Sequence, residues 1–222
     1  LQKSQNLFFG GQAAVAFDFN MAPFAKFSFK EHLKTLIEDF DYFSFADQDD
    51  IWLPNKLIQA TDVMYENQSD GYSGNVTAFW PNGNEQLIVK SQPQVQYDHL
   101  FEAAGPGCTY VFSRKLFVDL QQHITINFSD VQNVTLHDWY CYAFSRTHGY
   151  KWTIDTNSYM RYRQHSNNQV GVNSGLKAFR SRLLKVFDGW WLSQASLISR
   201  LIGIEATPFV QSWIKLRGID LA

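Results

Sequence analysis

Cysteine is scarce: Cys108 and Cys141 are the only two among 222 residues. Two thiols this far apart build no disulfide framework, and their spacing fits no cysteine metal knuckle, so a reducing compartment is expected. An excess of charge of one sign is also missing. The formal net charge is -2, which gives no electrostatic case for a nucleic-acid partner. No run of about 18 apolar residues occurs, so no membrane-spanning helix is expected. The opening residues hold no charged segment followed by an apolar one, so no signal peptide is read there. There are no internal repeats and no low-complexity tract. The first residue is Leu1 rather than Met, which makes a fragment or a processed chain the expectation.

What is present describes a globular chain. Hydrophobic residues make up 45% and charged residues 18%, enough apolar material for a substantial core. Aromatics reach 16%, which suits a bulky core, a sugar-stacking site or a membrane-facing surface. Charge is uneven: residues 171–222 carry about +4 and the remainder about -6. A basic tail on an acidic body suggests a surface for anionic partners, such as a membrane.

Periodicity gives a coarse element order. Helical spacing covers 31–40, 54–65, 114–122 and 137–146, and short apolar runs at 42–46, 75–80, 86–90, 108–112, 151–155 and 158–163 read as strands. A short helix fits 97–103. From Leu176 the pattern becomes wholly helical, with segments 176–190, 192–202 and 208–216. Alternation of helix and strand followed by a helical tail predicts an α/β fold with a largely parallel sheet.

Four clusters carry chemistry. The run Tyr42–Ala46 drives into Asp47, Asp49 and Asp50, then Trp52 and Pro54. Ligands of open α/β sheets bind beyond the carboxyl ends of strands. Like charges so close repel unless a cation lies among them, and Mg²⁺ or Mn²⁺ suits oxygen ligands. A solvated acidic turn capping the next helix is the plainer alternative. Gly105-Pro106-Gly107-Cys108-Thr109 is either a tight turn or a loop whose backbone approaches a ligand. His137-Asp138-Trp139 opens a helix, where Asp138 is either a cap or a general base. Tyr162-Arg163-Gln164-His165 ends a strand, where His165 could bind metal and Arg163 a phosphate, or both could be surface residues.

Together these segments resemble the family 2 glycosyltransferases, rhamnosyltransferase-like members above all. Residues 41–56 are similar to that family's metal-site segment, 107–116 to its glycine loop and following strand, 137–140 to its acceptor-base motif, and 162–168 to its C-terminal histidine motif. The likeness runs from about Phe24 to Gly171 in the family's order. It implies a GT-A-like, Rossmann-related mixed sheet flanked by helices, with a C-terminal helical tail. It implies a nucleotide-diphosphate sugar donor, a glycan or lipid-linked acceptor, and a place in surface polysaccharide synthesis. The reaction would be metal-dependent and inverting, with rhamnose as the candidate sugar. Asp49, Asp47 and His165 would hold Mg²⁺ or Mn²⁺. Asp50, Gly107, Cys108 and Arg163 would face the donor, and Asp138 would be the catalytic base. Trp52, Trp139 and Tyr140 could stack on sugars or belong to the core.

The departures set further expectations. The family's opening Thr-Tyr-Asn-like turn and its Asp-Asp-Gly-Ser segment have no counterpart before Phe24, and Asp18-Phe19-Asn20 is a poor substitute. The N-terminal, nucleotide-binding strands are therefore expected to be missing. Residues 1–171 would form a partial GT-A domain and 172–222 an amphipathic helical extension. That extension packs on the domain or makes peripheral membrane contact, which places the chain in the cytoplasm, at the inner membrane face if it does the latter. The alternative function is a catalytically incomplete carbohydrate-binding or scaffolding module of the same fold. A glycoside hydrolase with paired carboxylates is disfavoured by three acids packed at one strand end.

Overall fold

The computed structural model describes residues 5–9, 12–18, 40–47, 49–164 and 189–214, the first two segments as backbone. Contacts divide the chain into two compact units, Leu1–Gln164 and His165–Ala222.

The first unit is built on one mixed sheet of eight strands: β1 (Gln5–Phe9), β2 (Gln12–Asp18), β3 (Tyr42–Ala46), β4 (Ile51–Trp52), β5 (Gly71–Phe79), β6 (Glu85–Ile88), β7 (Val111–Ser113) and β8 (Trp152–Arg163). The order across the sheet is β1-β2-β3-β7-β5-β8-β4, with β6 on β5. β2 runs parallel to β3, and β5 parallel to β8. The short β7 is antiparallel to both β3 and β5. Thus β3, β5 and β8 point the same way, and Ala46, Phe79 and Arg163 end on one edge. The helices of this unit are α1 (Lys56–Asn67), α2 (Arg114–Ile126), α3 (Phe128–Val131) and α4 (His137–Thr147). This is the mixed α/β class that the GT-A likeness implies. Two strands precede β3, so the sheet continues on the side where strands were expected to be missing.

The core explains the placement. Phe43, Ser44 and Phe45 of β3 are all buried, as in a strand covered on both faces. Phe43 stacks on Phe117 of α2 with ring centroids 4.1 Å apart, and Phe45 tilts against Phe112 at 4.8 Å. Ser44 is tolerated there because its hydroxyl donates to the Tyr110 carbonyl at 2.8 Å. On the other side, α1 lays Leu57, Ala60 and Met64 against Tyr72 and Val111. α4 is buried on nearly all sides, from Trp139 to Ser145. It is fastened by Asp98, which accepts from the Tyr142 hydroxyl at 2.8 Å and pairs with Arg146 at 3.2 Å.

Several elements differ from the periodicity. β5 begins at Gly71, four residues before the apolar run. Its polar half is buried because each group is satisfied: Ser73 donates to the Ala104 carbonyl, and the Asn75 side chain accepts from the backbone of Lys90 and Ser91. Residues 107–109 form a 3₁₀ turn ahead of β7 rather than the start of a strand. The two short strands at 151–163 are one, with its register against β5 shifting near Asn75. The 97–103 helix shrinks to a turn, Asp98–Leu100. The helices read at 31–40 and 176–190 lie outside the described residues, except Phe40, which is buried, and the final residues 189–190.

In the second unit, α5 (Trp190–Leu201) buries Ala195, Ile198 and Leu201, and α6 (Pro208–Trp213) opens with Thr207 as its cap and a first-turn Pro208. No helix among the described residues is long and apolar enough to cross a membrane.

Gly71 is a tight point of the sheet: a Cβ added there would collide with the six-membered ring of Trp152. Gly71→Ala is therefore expected to cost about 1–3 kcal/mol through overpacking, read as a lower urea midpoint at unchanged m-value. An unchanged midpoint would show that Trp152 is free to move aside.

Candidate functional site

The site lies at the sheet edge where β3, β5 and β8 end, the edge where open α/β sheets place ligands. Immediately after β3 the chain turns back: the Asp50 N–H donates to the Asp47 carbonyl at 3.4 Å. Such a turn brings its first and fourth residues together. The carboxylates of Asp47 and Asp50 accordingly lie with the Cys108 thiol inside one cluster, their nearest ligand atoms within 4.8 Å of one another. Asp49 sits at the third turn position. Its carboxylate is not in that cluster, and its backbone carbonyl accepts from Arg163 Nε at 2.8 Å.

β4 then carries the chain back along β8, pairing Ile51 with Arg161 and Trp52 with Met160. This register delivers Arg163 to the acidic turn, and its backbone N–H donates to Asp50 Oδ1 at 2.9 Å. The guanidinium stacks over Phe79 at 4.6 Å. Arg163 was expected to hold donor phosphate. Its Nε fastens the acidic turn to the sheet. His165 lies outside the described residues.

The glycine loop completes the site from the other side. Thr109 N–H returns to the Pro106 carbonyl at 2.9 Å and Tyr110 N–H to the Gly107 carbonyl at 2.9 Å, which folds the loop tightly. Cys108 faces Asp47 and Asp50. Its neighbour Gly107 faces the start of α4: an added Cβ would stand 2.5 Å from His137 Nε2 and 3.3 Å from Asp138 Cβ. Glycine permits this approach without His137 having to shift. One tight turn thus touches the acidic cluster with one residue and the candidate base with the residue before it. Asp138 is half-buried in the first turn of α4, and its Oδ1 accepts from the Trp139 N–H at 2.8 Å.

Two of the aromatic candidates are corrected. Trp139 is 2% exposed and donates its indole N–H to the His99 carbonyl at 3.1 Å, and Tyr140 is fully buried. Neither presents a ring face to a sugar. Trp52 is half-buried, and the Lys56 ammonium covers one face of its ring 3.3 Å from the centroid.

Lys56 is the residue that sequence reasoning missed. It stands in the first turn of α1, only 2% exposed, and its Nζ donates to the Cys108 carbonyl at 2.9 Å. Burial pulls its pKa down to about 7, against the pull of Cys108, Asp50 and Asp47 in the opposite direction. Burial also pushes Asp50 up to about 6, reinforced by Asp47 and Asp49 and opposed by the Arg163 N–H and the nearby Cys108 thiol. The thiol itself is driven well above its usual range by burial and the two carboxylates. Tyr162, beside Cys108 and Asp50, is likewise kept neutral by burial first and these groups second. A lysine at the start of an amphipathic helix is ordinarily solvated, so no local sequence signal marked this one as buried.

A divalent cation fits part of this arrangement. Asp50 Oδ2 is buried and accepts no hydrogen bond among the described residues, a state that costs free energy unless a cation or proton answers it. Two carboxylates suit Mg²⁺ or Mn²⁺, whereas a thiol held protonated is a poor ligand for either hard ion.

The pH dependence has a definite sign. Asp50 binds its proton more tightly when folded, so its contribution to stability falls as pH rises from about 4 to about 6. In chelator-treated buffer, Asp50→Asn should gain on the wild type across that window, by at most about 3 kcal/mol. Urea unfolding of both proteins at several pH values checks this. A difference that stays constant with pH would contradict it.

No family model matches the chain. Among solved structures, S. aureus TarS 1-349 in complex with UDP-GlcNAc aligns with a TM-score of 0.38 and 11% identity, covering 82% of this chain and 55% of that one. Among curated proteins, the dTDP-rhamnosyl transferase RfbG of Shigella flexneri is 43% identical over 170 residues, 77% of this chain. The chain spans 59% of that relative's length. By this match the chain is similar, over 170 residues, to a rhamnosyl transferase.

Proposed function

We propose that this chain forms the catalytic and acceptor-facing part of a glycosyltransferase. It would move a rhamnosyl group from dTDP-rhamnose to a glycan or lipid-linked acceptor with inversion at the anomeric carbon. The observation that carries this reading is the shared turn: Cys108 contacts the Asp47–Asp50 cluster while Gly107 abuts Asp138. Transfer requires a charged leaving group to be held near a base that reaches the acceptor, and this turn keeps the two functions adjacent. The donor sugar is taken from the name of the curated relative.

In the proposed reaction the Asp138 carboxylate accepts the proton of the acceptor hydroxyl as that oxygen attacks the anomeric carbon. The bond from that carbon to the diphosphate breaks, and the electron pair leaves with the nucleoside diphosphate. Asp47 and Asp50 would hold Mg²⁺ or Mn²⁺, which when bound neutralises charge developing on the diphosphate. The turn geometry favours Asp50 over Asp49 as the partner of Asp47. Gly107 would give the donor access to backbone, and the exposed part of the half-buried Trp52 would suit a sugar ring.

The test is transfer from dTDP-rhamnose in the presence of Mn²⁺. Asp138→Asn is expected to lower kcat about 10²–10⁴-fold while donor binding, followed by calorimetry, stays within a few-fold. Equal loss of donor binding would remove Asp138 from the role of base. Glycan binding that ignores chelation, with no transfer by the wild type, would favour the non-catalytic carbohydrate-binding module.

A further inference from the structure

Three elements converge on the turn that joins the two halves of the site. From β3, the Ser44 hydroxyl and the Phe45 N–H both reach the Tyr110 carbonyl, at 2.8 and 3.3 Å. From β5, the Gly74 N–H donates to the Thr109 hydroxyl at 3.3 Å. These contacts hold the downstream side of the turn. The Cys108 carbonyl, at its centre, accepts from Lys56 Nζ at 2.9 Å.

The environment of that ammonium is unusual. It is sealed between the Trp52 ring and the Cys108 carbonyl, and it is electrostatically coupled to Asp47 and Asp50. A lysine chosen only to fill space would be a poor choice, because burying an ammonium costs several kcal/mol in order-of-magnitude terms unless its partners compensate. A methionine fills a similar volume without that cost. The positive charge and the hydrogen bond therefore need a reason, and the neighbouring carboxylates supply one. The turn must stay closed against two carboxylates that repel one another, and Lys56 supplies both the tether and the counter-charge.

We propose that Lys56 is a positioning residue: its ammonium clamps the Gly107–Cys108 turn between the acidic cluster and Asp138, so that losing the clamp opens the turn without unfolding the sheet. The clamp itself is independent of the transferase reading; only its effect on donor KM rests on that reading.

The experiment compares the wild type, Lys56→Met and Lys56→Arg in chelator-treated buffer. Folding is followed by circular dichroism, and labelling of Cys108 by a thiol reagent is followed by peptide mass spectrometry, with buried Cys141 as the internal reference. Lys56→Met should label Cys108 about tenfold or more faster, the worth of one charged hydrogen bond, with Cys141 unchanged. Lys56→Arg, which keeps a charged donor, should stay within a few-fold of the wild type. If transfer is observed, donor KM should rise in Lys56→Met and recover in Lys56→Arg. Loss of folding in Lys56→Met while Lys56→Arg stays folded would overturn the proposal, since the clamp holds the turn and not the sheet. Unchanged Cys108 labelling in folded Lys56→Met, or loss of the fold in both variants, would overturn it and leave Lys56 a packing role. Failure of transfer by the wild type with the labelling ranking intact would overturn the functional reading and not the clamp.

Discussion

A lysine ammonium buried beside two carboxylates is the constraint on which the rest of the site depends. Lys56 is 2% exposed, and Asp50 carries a buried oxygen without a hydrogen bond among the described residues. Each charge is costly alone in such a place, and each lowers the cost of the other. Lys56 is able to reach this place because α1 starts four residues after Trp52, which pairs with β8 and so anchors the start of the helix at the sheet edge. The acidic turn, the indole, the lysine and the Cys108 carbonyl are thus one unit, supplied by two segments far apart in sequence.

The wider architecture serves to bring these segments together. β3 delivers Asp47, β8 delivers Arg163, and the loop before β7 delivers Gly107 and Cys108 to the same edge. β7 is only three residues long, yet it stands between β3 and β5, so the turn ahead of it is pinned to the sheet centre. Asp138 arrives separately, on a helix whose own burial and whose Asp98–Tyr142–Arg146 network fix its orientation. The proposed base thus sits on a firmly held helix, which favours one defined position.

Much of this was legible in the sequence, for identifiable reasons. β3 was readable because its apolar run is short and stops at charge, and the four clusters were readable because their order carries information that none holds alone. The choice among the three acids was not readable. A linear pattern puts Asp47 and Asp49 forward together, whereas the turn sets the carboxylates of its first and fourth residues, Asp47 and Asp50, beside the Cys108 thiol. The first half of β5 was hidden because Ser73 and Asn75 are polar, and only their distant partners make their burial acceptable. Trp139 looked open to a sugar because its neighbours are polar in sequence, while its indole N–H meets a carbonyl forty residues earlier in the core. Lys56 was overlooked because a lysine on an amphipathic helix is ordinarily solvated, and no local pattern announces a buried one.

In the proposed function the Asp47–Asp50 turn, closed by Cys108 and Lys56, would be the cation-holding wall of a donor site. The most direct measurement is anomalous diffraction from crystals of the protein soaked with Mn²⁺ and dTDP. The account predicts an anomalous peak bound by the carboxylates of both Asp47 and Asp50, on the side away from Lys56. A peak held by Asp49 without Asp50, or Mn²⁺ bound elsewhere with none at this turn, would contradict it.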